Sequence, residues 1–192
     1  MTTSPPIAAT VSELTAQERV RADKYLSFSL GSENYGLEIL KVREIIGIID
    51  ITPLPQTPDY VKGVINLRGK IIPVIALRTK FGLPSVEHTD ATCVIVVEVR
   101  FTESTEQFSI GVIVDTVNEV LDIQREQIEP APDFGCNVST EYILGIGKVD
   151  EKVVILLDID KLMTESEVKA LNSAASGTDG ATSPTSAIPE TA

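Results

Sequence analysis

The residue types that carry most enzyme chemistry are scarce in this chain, and their spacing does not bring them together. The sequence holds one histidine, His88, in a polar stretch, and two cysteines, Cys93 in an apolar run and Cys136 in a predicted loop. The cysteines form no Cys-x-x-Cys pair, so a zinc site lacks ligands and reduced thiols are expected. The segment Gly145-Ile-Gly-Lys148 is similar to a phosphate-binding loop but lacks the spaced second glycine and a Ser or Thr after the lysine. The sequence therefore predicts no catalytic residue, no metal site and no cofactor.

Charged residues that neither packing nor helix capping explains are better functional candidates. Asp158 and Asp160 could form a carboxylate pair, but Asp158 stands where a helix N-cap is expected. Arg68 stands at the tip of a predicted β-hairpin, and Glu44 on the polar side of residues 39–46. Arginine is frequent at protein interfaces because its fork gives directed hydrogen bonds and its stem packs on apolar surface. Residue types alone do not decide whether Arg68 anchors an interface or is a solvated charge in a turn.

Two similar hairpins are predicted to position these residues. Residues 63–78 contain two apolar runs joined by a tight turn at residues 68–70, in which Gly69 is best able to take a positive φ. Residues 142–158 repeat this pattern around a polar turn at residues 150–151. The markers that recur in the same order, at offsets of 75 to 82 residues, are Tyr35-Gly36 with Ile110-Gly111, Val42-Arg43-Glu44 with Val117-Asn118-Glu119, Pro53 and Pro55 with Pro130 and Pro132, and Gly63 with Gly145. The shared order and spacing predict two similar β units within one fold.

The composition is that of a globular protein and disfavours two classes of partner. With 192 residues, of which 43% are hydrophobic and 23% charged, the chain can bury a core without disulfides. A formal charge of −12 and a pI near 4.5 make nucleic acid and anionic membrane surfaces poor partners. The sequence shows no signal-peptide core and no apolar run of bilayer length, which predicts a soluble cytoplasmic protein.

Apolar periodicity separates a folded region, residues 23–171, from two tails, residues 1–22 and 172–192, that we expect to be disordered. Apolar residues at positions 39, 42, 45 and 46 predict one or two helical turns or an irregular crossover. Asp158 is expected to cap a short helix, and Thr164-Glu-Ser-Glu167 has the spacing of a capping box for a final helix to Leu171. The strands predicted besides the hairpins cover residues 25–30, 35–39, 92–99, 107–114 and, as strand or crossover, 117–123.

Several stretches in combination resemble the CheW-like family of bacterial chemotaxis coupling proteins, over roughly residues 23–171. They are the hairpin at residues 63–78, the upstream Tyr35-Gly-Leu-Glu-Ile-Leu-Lys-Val-Arg-Glu-Ile-Ile46, and the downstream Gln127-Ile-Glu-Pro-Ala-Pro132 and Ser139-Thr-Glu-Tyr142. The resemblance implies a mainly β fold, with two five-stranded SH3-like β-barrels packed together, short helices and a C-terminal helix. It also implies a non-enzymatic adaptor that joins the cytoplasmic tips of methyl-accepting chemoreceptors to the regulatory domain of the histidine kinase CheA. Such an adaptor is recruited to receptor arrays at the membrane.

The same resemblance implies which residues bind partners, at the groove between the barrels. The positions that match are Val42, Glu44, Gly63, Arg68, Val117 and Val120. One departure from the family pattern is Ala76, where members often carry an aspartate before the Leu-Arg that closes the hairpin, while the second half keeps Asp158. We therefore expect a cap or polar contact to be missing from the first half.

Two alternatives remain. The chain could be a coupling module of a different chemosensory-like pathway or a relative of CheV, although no receiver domain follows residue 171. It could also be a small β-barrel enzyme, which the missing acid, base, nucleophile and metal sets disfavour. Binding to a kinase regulatory domain and to a receptor tip would separate the adaptor from the enzyme.

Overall fold

The computed structural model describes residues 22–101, 106–131 and 141–176. The strands are β1 (Ala22–Leu30), β2 (Glu33–Glu38), β3 (Val42–Gly47), β4 (Val61–Leu67), β5 (Lys70–Ala76), β6 (Cys93–Arg100), β7 (Gln107–Val114), β8 (Thr116–Gln124), β9 (Ile128–Glu129), β10 (Ile143–Val149) and β11 (Lys152–Leu157). The α-helices are α1 (Leu77–Lys80) and α2 (Glu165–Ser176), and 3-10 turns span Ile39–Lys41, Arg125–Gln127 and Ile159–Lys161. Both predicted hairpins, β4 with β5 and β10 with β11, are confirmed.

The first sheet runs in the order β3-β6-β7-β5-β4 and closes on itself. After β3 the chain reaches the opposite edge of the sheet, where the backbone of Thr52 exchanges hydrogen bonds of 2.9 and 2.8 Å with Val64 in β4. Closure protects the sheet, because an open outer strand would present unpaired backbone groups to other chains. We name this closed sheet barrel 1.

The second sheet, barrel 2, runs in the order β8-β1-β2-β11-β10-β9 and closes in the same way. After β8 the chain turns through Arg125–Gln127 into the two-residue strand β9, which pairs with β10 between Glu129 and Ile146. Because β8 and β9 act as one bent strand, barrel 2 is five-stranded in the same sense as barrel 1. The prediction of a mainly β fold with two packed barrels is confirmed.

Each half of the chain contributes its first hairpin to the barrel of the other half. β1 and β2 precede β3 in the sequence, yet they lie in barrel 2, between β8 and β11, and β6 and β7 lie in barrel 1, between β3 and β5. The pairing is the same in both barrels: the first hairpin strand is antiparallel to β8 or β3, and the second is parallel to β11 or β5. The sequence repeat is therefore a true structural equivalence, but neither barrel coincides with one half of the repeat: barrel 1 is the continuous stretch from β3 to β7, and barrel 2 combines β1 and β2 with β8 to β11.

The largest hydrophobic cluster joins residues of both barrels. A smaller cluster fills barrel 1 around Val74 and Val94, and another fills barrel 2 around Ile123 and Leu156. Neighbouring residues of β6 belong to different clusters, since Val94 packs inside barrel 1 and Ile95 packs in the shared core. The strand is buried on both faces, which explains why its sequence is an almost continuous apolar run.

Residues 39–46 differ from the helical turns or crossover predicted for them. Only Ile39–Lys41 forms a 3-10 turn, and the remainder is strand β3, paired with β6. A bulge between Val42 and Glu44 shifts the register of this pairing. The apolar spacing imitates a helical period because polar Glu44 takes an inward position and apolar Ile45 an outward one. Burial alternates along β3, and Glu44 lies on the half-buried side with Ile46 rather than facing away from the apolar residues.

The ends of the two halves follow the sequence prediction, with differences in length. Asp158 caps its 3-10 turn by accepting a hydrogen bond from the backbone N–H of Asp160, whereas Ala76 precedes α1 with no side-chain cap, so the expected missing cap is confirmed. The capping box of α2 is present, with Thr164 N donating to Glu167 Oε2 at 2.7 Å, and the helix continues past Leu171 to Ser176. Residues 1–21 and 177–192, which make up most of the predicted tails, and the loop at 132–140 with Cys136 lie outside the described residues.

Candidate partner-binding surface

The turn between β4 and β5 holds Arg68 in a fixed, outward position. Arg68 and Gly69 have φ values of 54° and 83°, a pair of positive angles typical of the tight turn that suits the twist of a hairpin. The Asn66 side chain accepts a hydrogen bond of 2.9 Å from the backbone N–H of Gly69 and so fixes the turn from one side. The side chain of Arg68 is 78% exposed, which leaves it accessible to a partner.

Glu44 meets Arg68 across the seam at which barrel 1 closes. Glu44 belongs to β3 and Arg68 follows β4, the two outer strands of the sheet, and Arg68 Nη2 donates to Glu44 Oε1 at 2.6 Å. An exposed ion pair contributes roughly 0–1 kcal/mol to stability. The structure therefore brings the two predicted residues together, and the main effect of their contact is to orient the guanidinium.

Barrel 2 has a looser counterpart of this pair that the sequence reasoning missed. Glu119 occupies in β8 the position that Glu44 occupies in β3, and Lys152, at the start of β11, places its Nζ 3.9 Å from Glu119 Oε1. The signal was present in the sequence, because the repeat already matched Glu119 with Glu44. The repeat did not show which cation would face Glu119. It is Lys152, which follows the turn between β10 and β11, whereas Arg68 lies within the turn between β4 and β5.

The predicted valines lie at two different depths. Val42 and Val117 are half-buried at equivalent positions and pack against the core shared by the barrels. Val117 also lies beside Cys93: burial raises the pKa of the Cys93 thiol, and a hydrogen bond with the Val117 backbone partly offsets this rise. Val120 is 47% exposed on β8, and its equivalent on β3, Ile45, is 44% exposed. Val120 and its equivalent Ile45 are therefore exposed apolar side chains that a partner can cover without disturbing the core.

Gly63 differs from the other predicted site residues because it is buried and has no side chain to offer. Its φ is 137°, and a Cβ at this position would stand 2.0 Å from the carbonyl oxygen of Thr52. Only glycine can occupy this place, where the chain that closes barrel 1 crosses β4. The pairing of β4 with β5 has a bulge between Val61 and Gly63. The role of Gly63 in partner binding stays a prediction, and it depends on the backbone shape at this β4 bulge rather than on a side chain.

An open cleft of about 660 Å³ lies where α2 meets both barrels. Tyr60 on its wall donates a hydrogen bond of 2.6 Å to Glu167, and the ammonium of Lys80 stands 4.0 Å from the centre of the Tyr60 ring. Burial would raise the pKa of Glu167, but hydrogen bonds from Tyr60 and Thr164 outweigh it and hold that pKa below its ordinary value. The cleft wall is therefore an ordered network that attaches α2 to barrel 1.

The described residues contain no group of three or more His, Cys, Asp and Glu side chains that could hold a metal ion. His88 is exposed, and Asp158 caps its turn as predicted. Within the same residues, no helix has the length and apolar character needed to cross a bilayer.

Comparison with known proteins identifies relatives over most of the chain. A family model described as a CheW-like domain matches residues 24–167. The chain is 44% identical over 167 residues to the chemotaxis protein CheW of Klebsiella aerogenes, an alignment that covers 87% of this chain and 96% of the relative. It is 31% identical over 145 residues to the probable chemotaxis protein CheW of Rhizobium etli, covering 76% of this chain and 90% of the relative.

A solved structure is also similar. The crystal structure of the scaffolding protein TtCheW from Thermoanaerobacter tengcongensis matches with a TM-score of 0.65 at 38% identity, covering 73% of this chain and 92% of that chain. The similarity therefore extends over both barrels, in fold as well as in sequence.

Proposed function

Because the chain belongs to the CheW-like family, we propose that it acts as a scaffold in chemotaxis signalling. The finer form of the proposal is a non-enzymatic adaptor that joins the cytoplasmic tips of methyl-accepting chemoreceptors to the regulatory domain of the histidine kinase CheA. In this form it is a cytoplasmic protein recruited to receptor arrays. Relatives named as chemotaxis and scaffolding proteins support the coarser form.

The observation that carries the proposal is a pair of related surfaces, one on each barrel. On barrel 1 Glu44 pairs with Arg68, and on barrel 2 Glu119 faces Lys152. The next residue of each strand, Ile45 or Val120, adds an exposed apolar side chain on the other side of that strand. An adaptor has to hold two partners at once, and two separate surfaces on one packed molecule suit this task. Two weak contacts on one body can together give a stable assembly, because the second contact forms at high effective concentration.

Arg68 is the residue best suited to a directed contact on the first surface. Among the described residues, Glu44 is the one hydrogen-bond partner of the Arg68 guanidinium, through Nη2. The remaining N–H groups can therefore donate to carbonyl or carboxylate oxygens of a partner without breaking the ion pair. Val42 and Val117 support the surfaces from below, at the edge of the shared core.

Reconstitution with purified components tests this function. Membranes containing receptor cytoplasmic tips are sedimented with the CheA regulatory domain, with and without the chain. We expect the chain to sediment with the receptors and the kinase domain to follow only when the chain is present. Arg68→Ala should weaken this recruitment, while Lys169→Ala, which removes an ion pair within helix α2, should not. A chain that binds neither component would refute the proposal.

A further inference from the structure

Two ion pairs at the boundary between the barrels are more buried than the others. The side chains of Arg78 and Asp115 are 16% and 27% exposed, and those of Lys41 and Asp160 are 22% and 27% exposed. In each other ion pair within residues 22–101, 106–131 and 141–176, at least one side chain is 51% exposed or more. Burying charges is costly unless they are paired and hydrogen-bonded, so these two pairs call for a structural reason.

The first pair joins α1 of barrel 1 to a hairpin of barrel 2. Asp115 lies between β7 and β8, where the chain passes from barrel 1 to barrel 2. Its Oδ2 accepts hydrogen bonds from Arg78 Nη1, on the helix that follows β5, and from the backbone N–H of Gly31 at 2.8 Å, in the turn between β1 and β2. Arg78 Nε donates in addition to the Pro84 carbonyl at 2.8 Å, which fixes the direction of the guanidinium.

The second pair makes the corresponding connection with the barrels exchanged. Asp160 lies in the 3-10 turn that follows β11 of barrel 2, and its Oδ2 accepts from Lys41 Nζ. Lys41 lies between β2 and β3, where the chain passes from barrel 2 to barrel 1. Asp160 Oδ1 accepts a hydrogen bond of 2.9 Å from the backbone N–H of Arg100, the last residue of β6 in barrel 1.

We propose that these two contacts, the Asp115 clamp and the Asp160 clamp, fix the orientation of one barrel relative to the other. Each clamp joins three parts: the segment after the second strand of a repeated hairpin, β5 or β11; the segment in which the chain passes from one barrel to the other; and a backbone N–H of an exchanged hairpin. The sign of the charge is reversed between them, since a cation follows β5 and an anion follows β11, and the sequence repeat therefore does not reveal them. Arg78, Asp115, Lys41 and Asp160 are positioning residues for the two partner surfaces.

The consequence for assembly rests on the proposed function, whereas the orientation is a property of the free protein. If the barrels change their relative angle, each surface still binds its own partner, but the two partners are no longer held in a fixed arrangement. Loss of the clamps should therefore leave the affinity for each isolated partner within about twofold and weaken the ternary assembly about tenfold, which corresponds to about 1.4 kcal/mol.

The test uses Asp115→Asn and Asp160→Asn together, because asparagine keeps the shape of aspartate and removes its charge. Residual dipolar couplings of the isotope-labelled, full-length chain are fitted separately for barrel 1 and barrel 2. In the parent, and in the exposed control Asp122→Asn, one alignment tensor should describe both barrels. In the double variant the two tensors should differ in magnitude or direction beyond the error of the fit.

The outcomes are distinct. A single tensor that still describes both barrels in the folded double variant overturns the clamps and leaves the proposed function unaffected. Tensors that separate in a chain that binds neither receptor nor kinase support the clamps, and the proposed function then fails on its own. If the double variant does not fold, Asp160→Asn alone is judged by the same criterion. Lys41→Ala, which breaks the ion pair and leaves Asp160 to accept from the Arg100 N–H, should also separate the tensors, and a folded Lys41→Ala protein with a single tensor counts against the ion pair.

Discussion

Removal of the Arg68 guanidinium should reduce partner binding far more than it reduces stability. The ion pair with Glu44 is short, at 2.6 Å, but the Arg68 side chain is 78% exposed, so its contribution to folding is about 0.2–1 kcal/mol. Alanine has the same Cβ as arginine and leaves the positive φ at this position equally strained. Arg68→Ala should therefore lower the free energy of unfolding by no more than about 1 kcal/mol.

The expected loss in binding is larger because a partner would desolvate the charge. A hydrogen bond to a charged group contributes about 1.5–3 kcal/mol, which corresponds to about 10- to 150-fold in Kd. Glu44→Ala should cost less, since it frees the guanidinium without removing it. If the two residues act as a unit, the double variant should cost little more than Arg68→Ala alone, whereas independent contacts should add.

Isothermal titration with a receptor cytoplasmic fragment measures Kd for the four proteins of this cycle, and urea unfolding measures their stability. Arg68→Gly is a useful companion, because glycine relieves the strain of the positive φ and should be at least as stable as Arg68→Ala while binding as poorly. Lys169→Ala, which breaks an ion pair of similar length, 2.7 Å, within α2, is the control. A folded Arg68→Ala protein with the Kd of the parent would show that Arg68 is a solvated turn charge.

Three further predictions concern the bulge in β4, the partner surface of barrel 2 and the dependence of stability on pH. Gly63→Ala should destabilise the chain by about 2–5 kcal/mol, because the strain of the positive φ and the overpacking against Thr52 add. Gly69 also has a positive φ but open space around it, so Gly69→Ala should cost about 1–2 kcal/mol in the same urea experiment. Equal costs would contradict the clash of the added Cβ with Thr52. Val120→Asp should leave stability within about 0.5 kcal/mol and still impair assembly in the sedimentation assay, and a large loss of stability would mean that Val120 is core. Tyr60→Phe removes a hydrogen-bond donor that holds the pKa of Glu167 low. In the parent, this hydrogen bond stabilises the folded protein fully above the ordinary Glu pKa of 4.5, and the stabilisation is lost as the pH falls through the lower pKa of the folded state. The variant should lose about 1–3 kcal/mol at neutral pH, and the difference from the parent should shrink in acid; a difference independent of pH would exclude the carboxylate as its cause.

The elements that the sequence predicted well are those whose signals are local. The two hairpins, the Asp158 cap and the capping box of α2 follow from turn residues and side chains a few positions apart. β3 was misjudged because polar Glu44 lies on its half-buried side and apolar Ile45 on its exposed side, which hides the alternation on which strand prediction relies. α1 was missed because four residues are too few to show a helical period.

Contacts between residues that are distant in the sequence could be predicted only in part. The repeat showed that two halves are similar, but similarity says nothing about which hairpin joins which barrel, since both arrangements bury the same apolar faces. Arg68 and Glu44 were both identified as candidates from the sequence, and the closure of barrel 1 is what brings them together. The clamps could not be predicted from the sequence, because their residues lie in turns and connecting segments that carry no periodic pattern.

The exchanged hairpins make the order of synthesis important. The Ser27 hydroxyl and the Glu119 carbonyl that it contacts in the folded protein are 92 residues apart. At about 5–20 residues per second, β1 and β2 wait on the order of 5–20 s before β8 has been made. An isolated two-stranded hairpin is marginal in water, so Leu26, Phe28 and Leu37 stay accessible to other chains during this interval.

Barrel 2 cannot be completed from a contiguous fragment, whereas barrel 1 is built from the consecutive strands β3 to β7. A ribosome that stops before β10 and β11 releases a chain in which barrel 2 has no parallel partner for β2, and a fragment beginning after β7 lacks the two strands that lie at the centre of barrel 2. Cutting the gene at the boundary between the halves should therefore yield two insoluble pieces that recover a folded molecule only when they are made together.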